Sequence, residues 1–193
     1  MANPRICSKP AAAVAVSLFA LAASASATIQ CNSGAPMPYV VPMTTAGVYL
    51  NLVTGVFSIT PGGAPGWELN AWGSTGLNLW FATTPAASHG AVASGTVYSV
   101  LAAGATIGPA STFSASTTTT DFANWRVANT GQYLGIRFWN ESTSAINYGW
   151  IQLNTSATTL GHPATINAYC YQDDGTAITA STTPVELQSF SVE

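Results

Sequence analysis

From residue 28 onward, apolar side chains recur at alternate positions in short runs rather than at helical spacing. Val, Ile, Thr and aromatic residues fill the runs. Clusters of Gly, Pro, Asn and Ser interrupt them every eight to twelve residues or so, the rhythm of antiparallel strands joined by turns. "GVYLNLVTGVFSI" predicts a strand pair broken near Thr54–Gly55, and "GWELNAWG" and "GLNLWFAT" predict two strands around the Gly73–Gly76 turn. "GTVYSVLAAG" predicts another, followed by a bend at Gly108–Pro109. "STFSASTTTTDFANW" is polar and threonine-rich, and reads as an edge strand with a loop or as a flexible excursion. "QYLGIRFWN", "NYGWIQLN", "ATINAYCYQ", the Asp174–Gly175 turn and "VELQSFSVE" complete the series. About ten such strands predict an all-β fold, a two-sheet antiparallel sandwich or jelly roll, as one domain over residues 28–193.

The stretch "YLGIRFWNESTSAINYGWIQL" carries the clearest alternation. Leu134, Ile136 and Phe138 share one face of the first strand, and Tyr133, Arg137 and Trp139 share the other. In the second strand Ile151 and Leu153 oppose Tyr148, Trp150 and Gln152. Pairing Trp139 with Tyr148, and Arg137 with Trp150, turns the aliphatic residues to the core and leaves an outer aromatic face with one arginine. A one-residue slip would mix the two sets. The expected register also allows Arg137 a cation–π contact, worth about 0.5–2 kcal/mol.

Ahead of the strands, Arg5 and Lys9 precede the apolar run "AAAVAVSLFALAA" and the small residues "SASA". The run is short for a membrane span, so residues 1–27 read as a secretory signal cut after Ala27. Gln30 precedes Cys31, where lipid attachment would want a small residue. The expected mature chain, roughly 166 residues, suits one domain with a real core. It is expected outside the cytoplasm without a transmembrane anchor. Arg126 and Arg137 then stand against seven acids, about −5. Phosphate contact needs clustered Lys and Arg, so nucleic acid is not an expected partner. Cys7 leaves with the signal, and an exported chain with the even pair Cys31 and Cys170 predicts one disulfide.

"GVYLNLVTG", "GWELNAWGSTGLNLWF", "GATIGPASTF", "YLGIRFWN" and "YGWIQL", in this order over residues 46–171, resemble a group of secreted bacterial proteins. Some of that group end in the PEP-CTERM sorting signal, a Pro-Glu-Pro stretch followed by a membrane helix and a basic tail. The resemblance implies a secreted β-sandwich and supplies no catalytic residues. This chain ends in "TPVELQSFSVE", without that helix and tail, which favours free release over sorting.

Candidate chemistry is sparse. His89 in "SHG" and His162 in "GHP" read as exposed turn histidines, with no Cys or His spacing that would converge on a metal. Asp173-Asp174-Gly175-Thr176 reads as a hairpin turn rather than a calcium loop, because the alternating acids of such a loop are missing. There is no Gly-x-Ser-x-Gly elbow, and no catalytic residue, metal or cofactor is assigned. Glu68, in the aromatic "GWELNAW", is the acid expected in a partly apolar setting, but it lacks the second carboxylate that glycoside hydrolysis needs. The six tryptophans, Trp67, Trp72, Trp80, Trp125, Trp139 and Trp150, can fill a core or stack on sugar rings.

Three functions compete. The first expectation is a secreted, non-enzymatic structural or adhesive protein of the cell surface or matrix, with self-association through edge strands. The second is a carbohydrate-binding module that takes polysaccharide on some of Trp67, Glu68, Trp72, Arg137, Trp139, Tyr148 and Trp150. The third is a glycan-acting hydrolase centred on Glu68.

Overall fold

A computed structural model describes residues 27–32 and 36–183 of the chain. Residues 1–26 of the expected signal (1–27) and the last expected strand, "VELQSFSVE", lie outside these residues. Fourteen strands follow in order: β1 (Ile29–Cys31), β2 (Tyr39–Val41), β3 (Val48–Asn51), β4 (Val56–Ser58), β5 (Leu69–Trp72), β6 (Asn78–Phe81) and β7 (Gly90–Ser94). The rest are β8 (Val97–Tyr98), β9 (Thr106–Ile107), β10 (Phe113–Ser114), β11 (Asn129–Asn140), β12 (Ala145–Ser156), β13 (Gly161–Gln172) and β14 (Ile178–Thr179). The expected all-β architecture is the observed one.

Two antiparallel sheets face each other. The larger is ordered β1-β13-β12-β11-β7-β10, with β2 also on β13 and β8 on β7; the smaller is β4-β3-β5-β6. Alternation decides what lies between them. Val48, Leu50, Leu69, Ala71, Leu79 and Phe81 of the smaller sheet meet Leu134, Ile136, Phe138, Ile151, Leu153 and Ile166 of the larger in one buried core. Each fully buried Leu, Ile or Phe contributes about 1.5–3 kcal/mol of transfer free energy.

The β11–β12 hairpin keeps the expected faces but not the expected pairs. Arg137 lies opposite Tyr148, Gly135 opposite Trp150, and Trp139 opposite Ile146, a displacement of two residues. The period along a strand is two, so an even shift leaves every side chain on its face. The turn sets this register. Asn140 Oδ1 accepts from the backbone N–H of Ser142 (2.9 Å) and from its Oγ (2.6 Å), so the chain turns directly after Asn140, which pairs with Ala145.

The outer face of the large sheet is not an open aromatic wall. A third layer, the two-stranded β9–β14 ribbon, lies over it, and Ile107, Ile178 and Ala180 form a second core with Tyr133, Trp150 and Cys170. Gly135 permits the close approach: a Cβ there would come within 2.8 Å of Leu101 Cδ1 and Val92 Cγ2 and 2.9 Å of Ile107 Cγ1. Trp150 is consequently 3 % exposed. Arg137 finds its cation–π partner in Phe113, with Cζ 5.0 Å from the ring centroid, and not in a tryptophan.

Cys31 and Cys170 form the expected disulfide, and they are directly opposed in the β1–β13 ladder. The threonine-rich stretch is ordered beyond its edge strand β10. It folds into a 3-10 segment, Thr119–Trp125, which buries Phe122 and Trp125, while Asp121 accepts from Thr96 Oγ1 (2.6 Å) and Ser116 Oγ. Those hydrogen bonds hold the Asp121 carboxyl below the usual range. Both histidines correct their expected exposure: His89, just before β7, and His162, near the start of β13, are buried. Among the described residues no helix is long and apolar enough to cross a membrane.

Candidate functional site

The seven residues proposed for a ligand do not come together. Arg137, Tyr148 and Trp150 lie on the outer face of the large sheet, packed around Phe113, Tyr133 and the second core. Trp139 is half-buried further along that face. Trp72 ends β5 of the smaller sheet, and Trp67 lies just before that strand. Their surroundings therefore differ, and only Trp67 takes part in a concave site.

That site grows from the outer face of β3, β5 and β6. Tyr49 lies opposite Asn70, and Asn70 opposite Trp80, so the three share one row across the sheet. Leu79 and Phe81 point to the core, which sends Trp80 outward. Trp67, just before β5, leans over the row: its ring centroid is 5.0 Å from Tyr49 and 5.5 Å from Trp80, both edge-on at 75° and 62°. Asn70 is buried in this row, and its Nδ2 donates to Ala46 O at 2.9 Å. Trp80 remains 43 % exposed, the one large aromatic of the described core and surface to offer so much of its ring.

Beside these rings is a cleft of about 260 Å³ lined by Trp67, Trp80, Thr83, Thr84, His89 and Glu141, with Gly66 at its rim. Residues from distant parts of the chain meet here. Thr83 and Thr84 follow β6, His89 precedes β7, and Glu141 opens the β11–β12 turn. Gly66 has φ +74°, and a Cβ there would sit 2.1 Å from Glu141 Oε1, so the glycine makes room for that carboxylate. The 65–66 loop is fixed from below, because Asn51 Nδ2 donates to Pro65 O at 2.6 Å while Asn51 Oδ1 accepts from Thr54 N–H at 2.8 Å.

His89 is a neutral wall of the cleft. Ser88 Oγ donates to Pro85 O (2.5 Å), which leaves Ser88 to accept from His89 Nδ1–H (2.8 Å). Nε2 then accepts a long contact of 3.4 Å from Trp139 N–H. Burial, with the nearby positive charge of Arg137, lowers its pKa to about 4.

Glu68 sits behind the cleft rather than in it. It is 1 % exposed; Oε2 accepts from Leu52 N–H at 2.7 Å, and buried Oε1 has no hydrogen-bond partner among the described residues. Desolvation pushes its pKa well up, with the Glu141 charge adding to the rise. Neither arginine lines the cleft: Arg126 donates to Leu77 O and Asn78 Oδ1, and Arg137 acts on it through its charge at His89. Among the described residues no group of three or more His, Cys, Asp or Glu is placed to hold a metal ion.

Chemically, the cleft offers two indole surfaces, two hydroxyls, a neutral imidazole and one carboxylate. Trp80 was within reach of sequence reasoning, since alternation in "GLNLWFAT" turns it away from the core. His89 and Glu141 were not, because only tertiary folding carries them to the rings. Comparison of the chain with protein-family models, with curated proteins and with solved structures returned no match.

Proposed function

We propose that this chain is an exported, non-enzymatic adhesive protein that attaches to polysaccharide through the Trp67–Trp80 cleft. The observation that carries the reading is the half-exposed Trp80 ring beside a cleft with hydrogen-bonding groups on its walls. Sugar rings present apolar C–H faces that stack on indoles, and hydroxyl rims that need donors and acceptors. The volume, about 260 Å³, falls below the ~300–1,000 Å³ of pockets for drug-sized ligands and suits one sugar unit of a longer chain. The disulfide and the leader-like first 27 residues support export to an oxidising compartment.

Hydrolysis is the weaker use of the cleft. Glu141 lines it, but Glu68, the second carboxyl, is closed off beneath the sheet, and an acid must reach the bond it protonates. The test is co-sedimentation with a panel of insoluble polysaccharides. The protein is expected to be retained on at least one, and Trp80→Ala to lose about tenfold in affinity while keeping its melting temperature. Absence of retention on every polymer, or equal retention of Trp80→Ala, would refute the proposal.

A further inference from the structure

We infer that the cleft selects a cationic amino sugar, a hexosamine unit with a free ammonium group, over neutral and acidic sugars; this rests on the glycan-binding reading above. Charge is the first argument. Glu141 is the one carboxylate lining the cleft, and it has no hydrogen bond or ion pair among the described residues. His89 is held neutral by Ser88 and burial. Both arginines are engaged elsewhere, Arg126 on Leu77 and Asn78 and Arg137 over Phe113. The lining therefore carries one carboxylate and no cation, and the Arg137 charge is felt at His89.

Geometry is the second. Trp67 and Trp80 stand edge to face at 62°, so their π faces point in different directions, and one ring can carry the sugar while the other faces a substituent. An indole face attracts a cation through its quadrupole, and the attraction grows where water is partly excluded. Trp67, half-buried between Tyr49 and Trp80, is such a face. Gly66 reserves the space that the Glu141 carboxylate occupies, since any Cβ there would collide with Oε1. A neutral hexose would use Glu141 only as an acceptor. A uronic acid would be repelled by it.

Calorimetry or NMR titration of the intact mature protein with soluble oligomers decides among these. Glucosamine oligomers are expected to bind about tenfold more tightly than the N-acetylated oligomers, the combined effect of one exposed ion pair and one cation–π contact. Glu141→Gln should remove that preference, bringing the affinities for the two oligomers within about twofold of each other. Gly66→Ala, which displaces the carboxylate without removing it, should reduce the preference in the same direction. Equal affinity for the two oligomers in the unsubstituted protein, an unchanged preference in Glu141→Gln, or equally tight binding of a lysine peptide would overturn the inference while leaving glycan binding intact. Failure of every oligomer and every insoluble polymer would remove the underlying reading instead.

Discussion

Glu68 is the residue whose environment departs furthest from what its side chain prefers. In the unfolded chain it titrates near ~4.3. In the fold its pKa is raised by burial, so the folded state holds a proton that the unfolded state has released. A raised carboxyl contributes its full stability below the unfolded pKa and loses it as pH rises toward the folded value, by about 1.4 kcal/mol per unit. Glu68→Gln keeps an oxygen to accept from Leu52 N–H and cannot ionise. The variant should match the parent near pH 4 and become progressively more stable than it as pH rises from there, as read from urea unfolding at each pH. Parallel curves would show that the carboxyl is not held neutral. The sequence indicated a partly apolar place for this acid from its neighbours Trp67 and Leu69, but not its backbone partner sixteen residues upstream. For the two histidines the local sequence pointed the wrong way: flanking Gly and Pro suggest turns, whereas both side chains are covered by packing that no local pattern encodes.

At the scale of elements, alternation was enough to divide the β11–β12 hairpin into a core face and an outer face. It was not enough to fix the pairing, because shifts by two residues preserve both faces and differ only in the turn. Asn140 chose the turn through its bonds to Ser142. The ribbon over the outer face was equally hidden. β9 and β14 have two residues each, too few for a periodic signal, and they are joined across a long stretch of chain. Gly135 records their presence. Gly135→Val should drive a side chain into Leu101, Val92 and Ile107 and lower stability by about 1–3 kcal/mol, measured by urea unfolding. An unchanged midpoint would mean that this face is not closely packed at Gly135.

Across the whole molecule, the sandwich was legible because its evidence is repetitive: strand after strand obeys the same period and ends in the same turn chemistry. The cleft was not, since it is built from one or two residues of several separate segments. The disulfide belongs to this scale too. It joins residues 139 apart and ties β1 to the last long strand. A Cys31→Ser, Cys170→Ser double variant should lose about 4–5 kcal/mol, on the chain-entropy account of a loop this long. Retention of the parental unfolding midpoint would show that the β1–β13 ladder holds without the bridge.

The six tryptophans report directly on the central claim, that ligand enters at Trp67 and Trp80. Each indole N–H gives its own NMR signal, and Trp125 and Trp150, at 0 % and 3 % exposure, serve as internal controls. Titration with a glucosamine oligomer should shift the Trp67 and Trp80 indole signals together and leave those of Trp125 and Trp150 in place. Shifts confined to Trp72 or Trp139, or no shift in any tryptophan at saturating oligomer, would contradict the account.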